Sequence, residues 1–155
     1  MTDTELYTEA SGDFMATGGK VLLFDIEDNV YGVEIQYITE IIGIQPITIV
    51  PKVPDYIKGV INLRGKVIPV MSVRKRFGKE EIPYDERTCI IVIEYDNIAV
   101  GLIVDKVNEV LEVDPEQISA TPDYKSVNSN RYISAIIETQ NGIKLLLNCQ
   151  KIVAE

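Results

Sequence analysis

Short apolar runs, rich in Ile and Val and broken at close intervals by Gly, Pro, Asn and Asp, dominate this chain. The pattern predicts strands, because β-branched side chains suit a pleated surface and lose freedom in a helix. Lys20 to Ile26 reads as a strand, Asp28-Asn29 as a turn, and Val30 to Ile35 as the returning strand. Ile38, Ile41 and Ile42 carry the pattern to Gly43, as a strand or a short helix leading into one. Pro46, Pro51 and Pro54 make the next stretch a loop with edge-strand character. Val60 to Leu63 and Val67 to Met71 flank Arg64-Gly65-Lys66, a hairpin with Gly in its turn. Val73 to Phe77 suits one helical turn ended by Gly78, and 79–87 is a polar connector. Thr88 to Glu94 and Ile98 to Val104 form a second hairpin across Tyr95-Asp96-Asn97, which Val107, Val110, Leu111 and Val113 extend. Pro115 to Arg131 reads as loop, and Tyr132 to Thr139 with Ile143 to Leu147 as a last hairpin over Gln140-Asn141-Gly142. A short helical segment is expected from Asn148 to Val153. Residues 1–19, polar and ending in Gly18-Gly19, read as a disordered tail.

An internal repeat organises these elements. A shift of 69 positions carries Gly32 onto Gly101, Glu40 onto Glu109 and Pro46 onto Pro115, with 3 identities and 6 apolar matches in 15 positions. Asp28-Asn29 then matches Asp96-Asn97 after one inserted residue, Tyr56-Ile57 matches Tyr132-Ile133, and Gly65 matches Gly142. The chain therefore reads as all-β, with two units near 20–71 and 88–147 joined near 72–88, each of five short strands closing into a small barrel. Two barrels of this size are marginal alone and gain from a shared apolar wall.

Composition narrows the chemistry. The 155 residues are 46% apolar, so a packed core is expected. The longest apolar runs, such as Cys89 to Ile93, fall far short of the roughly 20 residues of a spanning helix, so no membrane insertion is expected. The N-terminal acids Asp3, Glu5, Glu9 and Asp13 do not suit a secretory signal. There is no His, which removes His-based acid–base catalysis and His-ligated metals. Cys89 and Cys149 stand in apolar strings and read as buried thiols. No phosphate-binding Gly-rich loop is present, and Asp105, Glu109 and Glu112 read as a solvated face. A binding module fits better than an enzyme, and no cofactor is implied.

Net charge is −9, which opposes nucleic acid as a partner. Residues 56–79 depart from that average: Lys58, Arg64, Lys66, Arg74, Lys75, Arg76 and Lys79 occur with no acid, leaving −16 elsewhere. The run is either a solvated face or a surface for an acidic partner.

Three blocks carry a family resemblance. Lys58-Gly59-Val60-Ile61-Asn62-Leu63-Arg64-Gly65-Lys66-Val67-Ile68-Pro69-Val70, with Val73-Arg74-Lys75-Arg76-Phe77-Gly78 after it, resembles the signature of the CheW family of chemotaxis coupling proteins. Tyr31-Gly32-Val33-Glu34-Ile35 with Glu40-Ile41-Ile42-Gly43, and Val100 to Val107, are similar in the same order. The likeness runs from about Lys20 to Val153, so 20–155 reads as one CheW-like domain. The chain departs from the family in having Ser72 and Asn148 where Asp is usual, and Ala135 where Gly is frequent.

The resemblance implies two SH3-like five-stranded β-barrel subdomains packed around a hydrophobic interface, with little helix. It implies a non-enzymatic adaptor between the cytoplasmic tip of a chemoreceptor, a helical hairpin, and the regulatory domain of the chemotaxis histidine kinase. Such an adaptor is cytoplasmic, is recruited to membrane receptor arrays, and is expected to be monomeric alone. Carried over by motif, the receptor contacts are Ile38, Glu40, Gly59, Asn62, Leu63 and Arg64; no kinase-binding residue is assigned. Arg64 suits an anchor, since a guanidinium can fork onto carboxylates or carbonyls of a helix; the competing reading pairs it internally with Glu40. Gly59 serves either close backbone approach or a strand bulge. The alternative function is a nucleic-acid-binding small barrel using 56–79, and a third is a barrel holding a divalent metal through carboxylates.

Overall fold

Strands of this chain are apolar on both faces because most of them stand between two cores. A computed structural model describes residues 12–120 and 132–154. A short helix α1 (Gly12–Thr17) precedes β1 (Gly19–Ile26), β2 (Asn29–Glu34), β3 (Ile38–Gly43), β4 (Ile57–Leu63) and β5 (Lys66–Ser72). Helix α2 (Val73–Arg76) and a connector lead to β6 (Cys89–Tyr95), β7 (Ile98–Val104), β8 (Lys106–Val113), β9 (Ile118–Ala120), β10 (Ile133–Thr139), β11 (Gly142–Leu147) and α3 (Cys149–Ala154). Two sheets result, ordered β8-β1-β2-β11-β10-β9 and β3-β6-β7-β5-β4. In β1, Val21 and Leu23 enter one small core, while Leu22, Phe24 and Ile26 face a larger one between the sheets. In β6, Ile90 and Val92 fill the second small core and Ile91 and Ile93 the shared one. Strand period two thus explains the unbroken run from Cys89 to Ile93. The sheets are open rather than closed barrels. Each has an SH3-like subdomain with its own core, and a hydrophobic interface joins them.

The repeat holds in register, but its boundaries do not. Gly32 faces Leu146 across the parallel β2–β11 pair, and Gly101 faces Val70 across β7–β5. The hairpins β4–β5 and β10–β11 carry the same irregularity, between Ile57 and Gly59 and between Ile133 and Ala135. Leu63↔Lys66 and Thr139↔Gly142 pair alike, so Gly65 corresponds to Asn141 and not to Gly142. The units at 20–71 and 88–147 are not the two subdomains, however. Hairpin β1–β2 lies in the sheet of β8 and β11, and hairpin β6–β7 in the sheet of β3 and β5. The two halves exchange their leading hairpins, a nonlocal choice that no local pattern records.

Other departures are local. Residues 12–19 are not a tail: Phe14 packs with Val21, Leu23 and Val113, and its carbonyl accepts from Gly18 N at 2.8 Å. One apolar ring in a polar stretch was enough to dock it; the rest of the expected tail, 1–11, lies outside the described residues. Within the expected loop 115–131, Ile118–Ala120 is an edge strand on β10, and 121–131 lies outside the described residues. Lys106–Val113 is a separate strand in the other sheet, not an extension of its hairpin.

The departures at Ser72 and Asn148 have a structural sense. Ser72 Oγ accepts from Lys75 N at 3.2 Å and Asn148 Oδ1 from Lys151 N at 3.0 Å, so each caps the helix after its hairpin. Ser72 N donates to Tyr56 O, and Asn148 N to Tyr132 O, both at 2.7 Å. Ser and Asn cap about as well as Asp. Ser72→Ala is expected to cost about 1 kcal/mol in denaturant unfolding, and Ser72→Asp close to nothing; equal losses for both would show that the hydroxyl is not a cap.

Candidate functional site: the Arg64 hairpin

The β4–β5 hairpin turns on two residues, Arg64 at φ 54° and Gly65 at φ 83°, a primed turn whose twist suits the flanking strands. Asn62 Oδ1 accepts from Gly65 N at 2.9 Å and pins the turn. Leu63 is half-buried against the core of its own subdomain. A left-handed backbone disfavours an arginine over Gly or Asn, so the side chain at 64 is not chosen for the turn. It is 75% exposed and donates through Nη1 to Glu40 Oε2, whose side chain is 23% exposed on β3. The Glu40 hydrogen bond holds the guanidinium above its ordinary value. The internal pair with Glu40 is thus present, and three quarters of the Arg64 side chain nonetheless remains in solvent.

The six residues assigned by motif separate into three roles. Glu40, Asn62, Leu63 and Arg64 form one constellation at the end of the β3–β6–β7–β5–β4 sheet. Ile38 stands two residues before Glu40, half-buried on the core between the subdomains. Gly59 is buried, and both its sequence readings apply. It follows the strand irregularity, and at φ 147° it brings Val60 against Thr48. Thr48 and Val60 exchange backbone hydrogen bonds at 2.9 Å, and a Cβ on Gly59 would lie 2.1 Å from Thr48 O. Gly59 thus serves the chain's own backbone.

The basic run 56–79 is largely neutralised by the chain itself. Lys58 pairs with Glu81 at 2.8 Å, Lys75 with Asp55 at 3.3 Å and Lys79 with Glu27 at 3.2 Å. The Arg76 guanidinium lies over Tyr56 at 4.0 Å and Tyr132 at 4.5 Å. Arg64 and Lys66 remain presented at the turn. Acids distant in sequence supply the partners, so counting charge along the chain overstated the patch.

Sequence reading missed one charged centre. Asp105 does not share the solvated face of Glu109 and Glu112. Its carboxylate takes Arg74 Nε at 2.8 Å and Nη2 at 2.7 Å, and also accepts from Glu27 N at 2.9 Å. The Arg74 side chain is 10% exposed, and its Nη1 also donates to Glu80 O at 2.9 Å. The β1–β2 turn, α2, the end of β7 and the connector meet there. The only sequence signal was an Arg one residue past the buried Val73. Burial pushes the Asp105 carboxyl up, but the Arg74 and Glu27 hydrogen bonds overcome it and hold it below the ordinary range. A depressed folded value stabilises above the unfolded pKa of about 4, and that contribution is lost as pH falls through the folded value. Asp105→Asn is expected to cost about 1–2 kcal/mol at pH 7 and progressively less below about pH 4. Denaturant melts of both proteins across pH 2.5–7 check this; a gap that does not narrow in acid would refute it.

Both cysteines are free; Cys149 is buried, its thiol pushed up by burial, and Cys89 is half-buried. Among the described residues no three His, Cys, Asp or Glu side chains gather as a metal set, and no helix is long and apolar enough to cross a membrane.

Two SH3-like subdomains, one of them bearing an exposed arginine on a primed turn, define the class: a small all-β adaptor domain. Residues 20–155 match the model of the CheW-like domain, and the chain belongs to that family. It is 31% identical over 137 residues to the chemotaxis protein CheW of Klebsiella aerogenes, covering 88% of this chain and 82% of that one. It is 34% identical over 137 residues to the chemotaxis protein CheW of Bacillus subtilis, covering 88% of each. The crystal structure of the scaffolding protein TtCheW from Thermoanaerobacter tengcongensis is similar at a TM-score of 0.78 and 32% identity, over 83% of this chain and 88% of that one.

Proposed function

We infer that this chain is a chemotaxis adaptor that couples receptors to the chemotaxis histidine kinase. Family membership over 20–155 supports the role, as does the likeness over 83% of the chain to a scaffolding protein. The observation that carries the site is Arg64: most of its side chain is in solvent while its pair with Glu40 and the primed turn orient it. A preorganised guanidinium loses little freedom on meeting a helix that offers carboxylates or carbonyls. The helical cytoplasmic tip of a chemoreceptor is that partner. Ile38, Glu40, Asn62, Leu63 and Arg64 form or border the contact, and Gly59 supports it from behind. The adaptor performs no chemistry of its own, and it works in the cytoplasm, at receptor arrays. The nucleic-acid reading loses its ground with the internal pairing of the basic run.

Co-sedimentation of the full chain with receptor-tip fragments and the kinase, read as kinase autophosphorylation, tests the role. Receptor-dependent control of the kinase is expected only when this chain is present. A kinase equally controlled without it, or retention of the chain on heparin at physiological salt, would overturn the reading.

A further inference from the structure

The connector is the sole covalent link between two halves that complete each other's sheets. The chain before it supplies β1 to β5 and α2, and the chain after it supplies β6 to β11 and α3. Four strand pairings, β1–β8, β2–β11, β3–β6 and β5–β7, join the halves. Among the described residues of the first half, hairpins β1–β2 and β4–β5 lie in different sheets, and only the Thr48 bridge adds to either from its own side. Among those of the second half, only the three-residue β9 does so. Neither half owns a finished sheet. The connector itself has a short way to go: Ser72 lies beside Ile103 and Cys89 beside Val104, so it crosses two strand spacings, about 10 Å.

We propose that this chain forms a strand-exchanged dimer with a second copy of itself, each lobe built from the first half of one copy and the second half of the other. All four joining ladders and the core between the sheets recur unchanged in that dimer, so monomer and dimer differ in the connector and in mass action. Arg74 bonded to Glu80 O, Lys58 paired with Glu81 and Lys79 paired with Glu27 hold the connector in its closed course. A flexible link of this length holds its ends at millimolar effective concentration, which sets where exchange competes. Glu40 and Arg64 both belong to the first half and travel together. The dimer therefore carries two complete hairpin sites on one particle and is a bivalent form of the module. The exchange does not depend on what that hairpin binds.

The test uses the full chain with a sequence-specific protease site inserted after the exposed Tyr84, kept under reductant because Cys89 and Cys149 are free. Refolding from denaturant at about 1 mM is expected to yield, beside monomer, a species of twice 17.4 kDa that persists on dilution. Cutting the connector should return that species to the mass of one chain, because each lobe is held by halves from different copies. Cut monomer should keep its mass. A dimer that stays double after cutting is a face-to-face dimer and overturns the proposal; so does refolding to monomer alone, or release of half-mass pieces from either species.

Discussion

Replacing Gly59 by alanine is expected to destabilise the fold by about 3 kcal/mol or more, a drop of roughly 6–12 °C in thermal midpoint for a domain of this size. Two independent costs meet there. The backbone sits at φ 147°, which a side chain disfavours, and the new Cβ would lie 2.1 Å from Thr48 O and 2.8 Å from Ile47 Cγ2. The clash is with backbone, so no rotamer change relieves it. The repeat supplies the control. Ala135 occupies the corresponding place beyond the same irregularity, facing Leu146 as Gly59 faces Val70. It is fully buried and already carries a methyl group, because its neighbour Ala120 sits in a regular ladder. Ala135→Gly is expected to cost only about 1 kcal/mol, through chain entropy and one lost methyl. Gly59→Ala should also weaken binding of receptor and kinase together, in proportion to the unfolded fraction. A well-folded Gly59→Ala variant that loses receptor binding alone would place Gly59 in the contact and refute its structural role.

Arg64→Ala is expected to weaken receptor-tip binding roughly 30-fold, the size of an interfacial hot spot, while kinase affinity and thermal midpoint stay close to wild type. The geometry separates the two roles of the side chain. With three quarters of it in solvent, its pair with Glu40 is screened and holds little of the fold together. What the pair does is aim the guanidinium, so Glu40→Gln should weaken receptor binding less than Arg64→Ala but in the same direction. Arg64→Lys should remain damaging, because one ammonium cannot hold Glu40 and a helix at once in the planar fork geometry. Titration calorimetry against receptor-tip fragments and against kinase, with melts of the same proteins, distinguishes the outcomes. Equal loss of both affinities with a lowered midpoint would make Arg64 a structural residue.

Most of the secondary structure was legible because its causes are local. Ile and Val runs specify strands, Asp96-Asn97 and Arg64-Gly65 specify turns, and Gly78 at φ 77° ends the turn of helix begun at Val73. Phe14 escaped notice because a single ring docking on a distant core leaves no period. In the candidate site, the Asn62-Leu63-Arg64-Gly65 hairpin was visible as a motif, and the Glu40 pair was one of its two readings. The role of Asp105 was not visible, since it meets Arg74 31 positions away, and for Gly59 a close approach was legible but not the backbone it approaches, the carbonyl of Thr48.

The sequence by itself determined that this chain is all-β, that it repeats, and that one hairpin carries the family's mark, because side-chain size, branching and turn chemistry act within a few residues. The tertiary structure alone decided which strands share a sheet. Each half offers unpaired edges to any matching strand, and the two leading hairpins crossed over where their second faces could also be buried, in the core between the sheets. It also decided how much of the basic run is left for a partner. Charge along a chain is fixed by sequence, but the acids that cancel it, Glu27, Glu40, Asp55, Glu81 and Asp105, are brought beside it only by folding.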